Sequence, residues 1–225
     1  MLDLNGQWTL YFGKQKQDQA DQLPNLDNLK SITAKVPSNV EIDLQNSNHL
    51  PELYYADNVH KARKLEFNQY IYKKTFTPDT SLLNSPAQLI FEGIDTIADI
   101  YLNGKLIGSA DNMFITHKFD ITTALQKGTN TLIVHIKSTI LHARKHTHEV
   151  CEYAQPVNFD SLHIRKAAHS FGWDIMPRII SAGLFRSVYI KPIKKERITT
   201  AYYVTKQLQP ENATLLVKWQ KKKKK

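Results

Sequence analysis

The sequence holds a single cysteine, Cys151, among 225 residues. An internal disulfide is therefore impossible, and neither a four-thiolate zinc site nor a redox pair can be assembled from it. Also missing is any apolar run approaching the ~20 residues that cross a bilayer. The first residues, MLDLNGQWTL, have neither the basic start nor the apolar stretch of a secretory leader. As given, the chain reads as cytoplasmic, with no membrane partner. Helical punctuation is scarce too. Only LDNLKSI near residue 30 and STILHARKHTHEV from residue 138 have a helix-like spacing, and neither carries a clean cap and stop. Internal repeats are absent.

The chain is short of acid, with a formal charge of +9, but that shortage is concentrated at one end. Lys221 to Lys225 carry five of those charges, and without them 25 basic residues face 21 acidic ones. The remaining cations are scattered over strand-like segments with no recognition helix, zinc-finger spacing or RNA-binding signature, so nucleic acid is not an expected partner. The lysine run cannot bury anything and is expected to be a solvated, disordered end outside the fold.

What is present is alternation. With 41% apolar and 10% aromatic residues the chain can build a core. In YIYKKTF, Tyr70, Tyr72 and Phe76 share one face against Lys73 and Thr75. IADIYLNGKLIG puts Ala98, Ile100 and Leu102 on one face, then reaches Asn103-Gly104, the pair that supplies the positive φ values of a two-residue hairpin turn. TLIVHIKS repeats the pattern with Leu132, Val134 and Ile136 inward, and RSVYIKPI with Val188 and Ile190. Many short strands without βα alternation predict an all-β, antiparallel jelly-roll sandwich over residues 1–192. Residues 193–220 read as a linker and two further strands, with Tyr202 and Val204 on the first and Leu215, Val217 and Trp219 on the second. Two strands do not make a stable sandwich. The expectation is a complete first domain, the truncated start of a second, and the 221–225 tail.

Three groups of residues carry chemistry. HSFGWDIMPRIISAGLFR, residues 169–186, gathers Trp173, Asp174, Arg178 and Arg186 around Pro177 and Gly183. A carboxylate that accepts two hydroxyls, beside an aromatic face for sugar C–H groups, suits a pyranose. The competing reading pairs Asp174 with Arg178 or Arg186 and buries Trp173 in the core. His142, His146 and His148 are close in sequence, and the first two would share a helix face as metal ligands can. With no HExxH pattern and many basic neighbours, they read as solvated surface histidines. Glu92 and Asp95 flank Gly93 and resemble a glycosidase carboxylate pair, but lack a context that would raise one pKa and keep the other ionised, so they read as structural.

LNGQW at 4–8, VPSNVEIDL at 36–44, YIYKKTF at 70–76, LIFEGIDTIADIYLNGKLIG at 89–108 and RKAAHSFGWDIMPRIISAGLFR at 165–186 occur in an order that resembles the N-terminal domain of family 2 glycoside hydrolases, the β-mannosidase branch in particular. The resemblance implies a galactose-binding-like jelly roll followed by the first strands of an immunoglobulin-like domain. It also implies a β-glycoside or oligosaccharide substrate, cleaved by glutamates on a (β/α)8 barrel further along, so that no catalytic residue lies in this chain. Asp174 matches an acidic residue that bonds sugar hydroxyls in the active-site wall, Trp173 its aromatic neighbour, and Asn58 a loop asparagine near the same pocket. Arg178, Gly183 and Arg186 match positions that fix the loop by ion pairing and a turn. No cofactor or metal is implied. One departure stands out: the mannosidase-like pattern Trp-Asp-Trp-Gly-Pro is here Trp173-Asp174-Ile175-Met176-Pro177. Two other classes stay open, a free-standing carbohydrate-binding module and a basic adhesion domain that uses the lysine tail.

Overall fold

The structure is a computed structural model that describes residues 1–16, 22–154, 158–194 and 196–223. Ten strands build a sandwich: β1 (Leu2–Asp3), β2 (Gly6–Lys14), β3 (Lys30–Val36), β4 (Asn68–Phe76), β5 (Ala87–Phe91), β6 (Ala98–Leu102), β7 (Lys105–Ala110), β8 (His117–Asp120), β9 (Asn130–Ile136) and β10 (Val188–Pro192). One sheet runs in the order β3-β2-β4-β9-β6-β7 and the other β1-β10-β5-β8, with antiparallel pairing throughout. The fold is the expected all-β jelly-roll sandwich.

The alternation explains which faces meet. Leu10, Tyr72, Val134 and Ile100 from the larger sheet and Leu89, Phe91, Val188 and Ile190 from the smaller one are fully buried in one core. Each such side chain removed from water stabilises the fold by about 1.5–3 kcal/mol. The Asn103-Gly104 turn closes the β6–β7 hairpin with φ of 53° and 79°, as the dipeptide demands.

The weak helix signals shrink. LDNLKSI gives only a 3-10 turn at Leu26–Asn28 before β3 takes over at Lys30, since Ile32, Ala34 and Val36 pay out their apolar side chains at strand spacing. STILHARKHTHEV holds a helix only over Thr139–Ala143, capped by Ser138, whose side chain accepts from Leu141 N–H. A helix the patterning did not indicate spans Val40–Asn46 behind the N-cap Asn39 and buries Val40 and Leu44. Among the described residues, no helix is long and apolar enough to cross a membrane.

Two features position the site. Residues 137–187 form one long connection from β9 to β10, with a small core of its own made by Ile140, Ala143, Ile164, Phe171 and Ile180 against Phe67. Polar anchors fasten this connection to the sandwich. Lys166, buried, pairs with Asp95 and also donates to Ser181 O at 2.9 Å, while Ser181 Oγ donates to Glu41 Oε2 at 2.7 Å. At Gly183 the chain bridges Asp95 through two backbone hydrogen bonds of 2.9 and 3.0 Å. Its φ of 150° and a Cβ position only 2.8 Å from Ser38 O leave room for glycine alone.

After β10, β11 (Glu196–Leu208) and β12 (Ala213–Lys223) form a separate two-stranded sheet. The lysine run differs from expectation: Lys221, Lys222 and Lys223 continue the pairing opposite Ile198, Arg197 and Glu196. Ladder hydrogen bonds are backbone bonds and do not require an apolar side chain, and Lys221 Nζ meets Glu196 Oε2 at 2.5 Å. Lys224 and Lys225 lie outside the described residues.

Candidate functional site

The loop after the 3-10 turn Ala168–Phe171 is shaped by Gly172, whose φ of +98° is a left-handed conformation and whose missing Cβ would sit 3.2 Å from Arg178 Cβ. Trp173 and Met176 then exchange backbone hydrogen bonds of 3.0 and 3.1 Å. That closes a tight turn with Asp174 and Ile175 at its tip, which is why both side chains are exposed. Trp173 is 57% exposed and so is not a core residue.

Trp173, Asp174 and Met176 line a cavity of about 760 Å³. Its other walls come from Arg63, Glu66 and Phe67 ahead of β4, and from Arg144, Asp160, Phe171 and Arg178 in the long connection. A cavity of this size suits a sugar-sized ligand.

Three carboxylates and three arginines line it, yet they are not equivalent. Glu66 takes Arg178 bidentately, from Nε at 2.9 Å and NH2 at 3.0 Å, and Asp160 accepts from the same NH2 at 3.2 Å. Arg144 Nε adds a contact to Asp160 at 3.3 Å. The Arg178 guanidinium also lies over the Phe171 ring, 5.8 Å from its centre. Burial works against its charge, but the Glu66 and Asp160 carboxylates outweigh it and hold the group above its ordinary pKa. Both carboxylates are thereby committed. Asp174 stands apart: it accepts no hydrogen bond and makes no ion pair among the described residues. The pairing of Asp174 with Arg178 or Arg186, weighed on sequence, is not made.

The remaining site residues distribute as follows. Asn58 does not line the cavity, although Arg63 and Glu66 close by in the chain do. Its amide is engaged at the start of the 3-10 segment Asn58–Leu65, donating to Glu52 O at 2.9 Å and accepting from Lys61 Nζ at 2.5 Å. Arg178 is an ion-pair partner of Glu66 and Asp160. Arg186 departs from expectation: it is exposed, forms no ion pair among the described residues, and rests over the Phe185 ring at 5.6 Å. Glu92 accepts from the Tyr189 hydroxyl at 3.2 Å and Asp95 is held by Lys166 and Thr96, so both act in the framework.

Sequence reasoning missed Arg63, Glu66, Phe67, Arg144 and Asp160. Only a lone glutamate just ahead of a strand, in KLEFNQY, hinted at one of them. His142 and His146 do not share a helix face, because the helix ends at Ala143; their rings meet edge to face at 5.7 Å.

Residues 8–186 match the family described as glycosyl hydrolase 2 galactose-binding domain-like. The sequence is 33% identical over 180 residues to β-mannosidase B of Emericella nidulans, covering 78% of this chain and 21% of that protein. It is 31% identical over 200 residues to β-mannosidase of Bos taurus, covering 84% of this chain and again 21% of the relative. Among solved structures, β-D-mannosidase from Dictyoglomus thermophilum superposes with a TM-score of 0.83 and 31% identity over 99% of this chain and 26% of its own. A β-glucuronidase from Bifidobacterium dentium shares the fold at 21% identity and a TM-score of 0.60. The chain thus spans about a fifth of the length of these curated relatives.

Proposed function

The chain belongs to the glycosyl hydrolase 2 galactose-binding domain-like family, and from that premise we propose that it is the non-catalytic, sugar-binding domain of a β-mannosidase-like glycoside hydrolase. In this reading its Trp173–Met176 turn forms one wall of an active site that a (β/α)8 barrel elsewhere in the longer polypeptide completes. The observation that carries the reading is Asp174: at the tip of a tight turn, exposed at a cavity, and without a partner among the described residues while its neighbour Arg178 is held by two other carboxylates.

Asp174 has two free oxygens that accept from adjacent sugar hydroxyls, and Trp173 offers an indole face to ring C–H groups. Met176, where the family pattern has glycine, adds a thioether to the same wall. Neither Glu66 nor Asp160 is available as a general acid or base, since each would first have to give up Arg178. In this reading bond cleavage belongs to carboxylates outside this chain. The contribution made here is to hold the ring, and binding energy gained away from the scissile bond is used to distort the sugar toward its transition state.

Asp174→Ala, made in the complete polypeptide encoded by the gene and assayed on a chromogenic β-mannoside, is expected to lower kcat/KM at least tenfold. A charge-assisted hydrogen bond is worth about 1.5–3 kcal/mol, which sets that floor. The melting temperature should stay nearly the same. A destabilised enzyme with unchanged kcat/KM would overturn the assignment.

A further inference from the structure

Beyond the cavity, the loop that follows the Thr139–Ala143 helix brings His148 and Glu152 together with His163, which comes from beyond the 3-10 turn Phe159–Ser161. Glu152 Oε2 lies 3.1 Å from His148 Nδ1 and 3.3 Å from His163 Nε2. It also accepts from Glu149 N–H at 3.2 Å. Three nitrogens therefore converge on one carboxylate oxygen, which has only two lone pairs in the plane of the group. Hydrogen bonding alone leaves that oxygen oversubscribed. A cation among the three side chains removes the conflict, because the two imidazoles then present lone pairs rather than N–H groups.

The spacing suits such an ion. Metal bonds of about 2.0–2.1 Å in a tetrahedron place ligand atoms about 3.3–3.4 Å apart. The two distances to Glu152 Oε2 are close to that edge, and all three ligand atoms lie within 4.8 Å of one another. Both imidazoles are also held in orientation. His148 packs edge to face on Phe159 with ring centres 5.3 Å apart, and His163 stacks on His146 at 5.0 Å and 25°.

We propose that His148 Nδ1, Glu152 Oε2 and His163 Nε2 form a binding site for a borderline divalent cation of the zinc type, with water in the fourth position. Two imidazoles and one carboxylate suit zinc better than magnesium or calcium, which take all-oxygen sets. The ion staples the His148–Glu152 loop to the segment carrying His163. That segment also carries Asp160, and Arg144 lies just ahead of the loop, so the staple braces the Arg144–Asp160 side of the cavity. The proposal stands on these residues alone and does not depend on the sugar-binding reading.

The test is calorimetric titration of Zn²⁺ into the metal-stripped, tag-free 225-residue chain. One ion per chain is expected, with Kd below about 10 µM, and Glu152→Ala and His163→Ala should each weaken binding at least ~10-fold. His60→Ala and Cys151→Ser should leave it unchanged. Co²⁺ in place of Zn²⁺ should give visible absorption of four-coordinate intensity that Glu152→Ala lacks. The ligand residues lie on two segments near the surface, and circular dichroism verifies that each variant folds. Saturation not reached by about 100 µM, binding retained in both ligand variants, or binding lost in Cys151→Ser would each overturn the proposal.

Discussion

Asp174 and Glu66 are carboxylates on the same cavity, and removing them should have opposite consequences. Glu66 is buried and holds Arg178 bidentately, so Glu66→Ala leaves the guanidinium with Asp160 alone and is expected to cost about 1.5–3 kcal/mol in urea unfolding. Asp174→Ala strands nothing and should stay within about 0.5 kcal/mol. Equal losses would contradict the division of labour between them. A second residue sets the response to acid. Burial, with the Lys137 charge adding to it and Asp99 opposing, pushes His135 down to about 4. The ring donates from Nε2 to Gln69 Oε1 at 2.9 Å, which leaves Nδ1 bare and buried. Unfolding frees this histidine to take a proton near its ordinary value of 6.5, so its contribution is complete above that pH and is lost as pH falls from 6.5 toward 4. Between pH 7.5 and 4.5 the loss should be about 2–3 kcal/mol. Glu41, held above its ordinary value by burial, works in the opposite sense. The comparison that isolates His135 is therefore the pH slope of His135→Gln against the parent, which should be shallower; identical slopes would refute the account.

At the level of elements, the β11–β12 hairpin differs from everything before it. Ala201, Tyr203 and Thr205 stand opposite Trp219, Val217 and Leu215, whereas Tyr202 and Val204 stand opposite Lys218 and Leu216. Directly paired residues share a face. Apolar residues of the two strands are therefore divided between both faces of the hairpin, and both faces are wet: Tyr202 is 60% exposed and Trp219 58%. Among the described residues, none after Ile190 joins the sandwich core. Cutting the chain after Ile193 is expected to leave the melting temperature within about 2 °C of the parent. It should also reduce self-association, because the hairpin has two open edges. A large drop in melting temperature would mean that the hairpin stabilises the sandwich and that the boundary near residue 193 is misplaced.

For the whole molecule, the proposal predicts no glycosidase turnover by the 225-residue chain on β-mannoside, β-galactoside or β-glucoside. Turnover abolished by Glu92→Gln would refute that. One wall of a pocket replaces few of the water contacts that a sugar loses, so free mannose should bind no tighter than about the millimolar level in calorimetry. Micromolar affinity for any glycan would favour a free-standing binding module.

The sandwich was legible because strand alternation is local: Tyr70, Tyr72 and Phe76, or Leu132, Val134 and Ile136, announce their buried face within seven residues, and the core obeys. The short helices were not, since capped segments such as Val40–Asn46 are too brief to show a period. At the site, the sequence by itself marked Trp173 and Asp174, through side-chain types that suit a pyranose. It could not determine which carboxylate stays free. Glu66 lies 112 positions from Arg178, and His163 reaches Glu152 only once the long connection has folded over its own small core. Tertiary structure decided both, because ion pairing falls off with distance in space and is indifferent to distance along the chain.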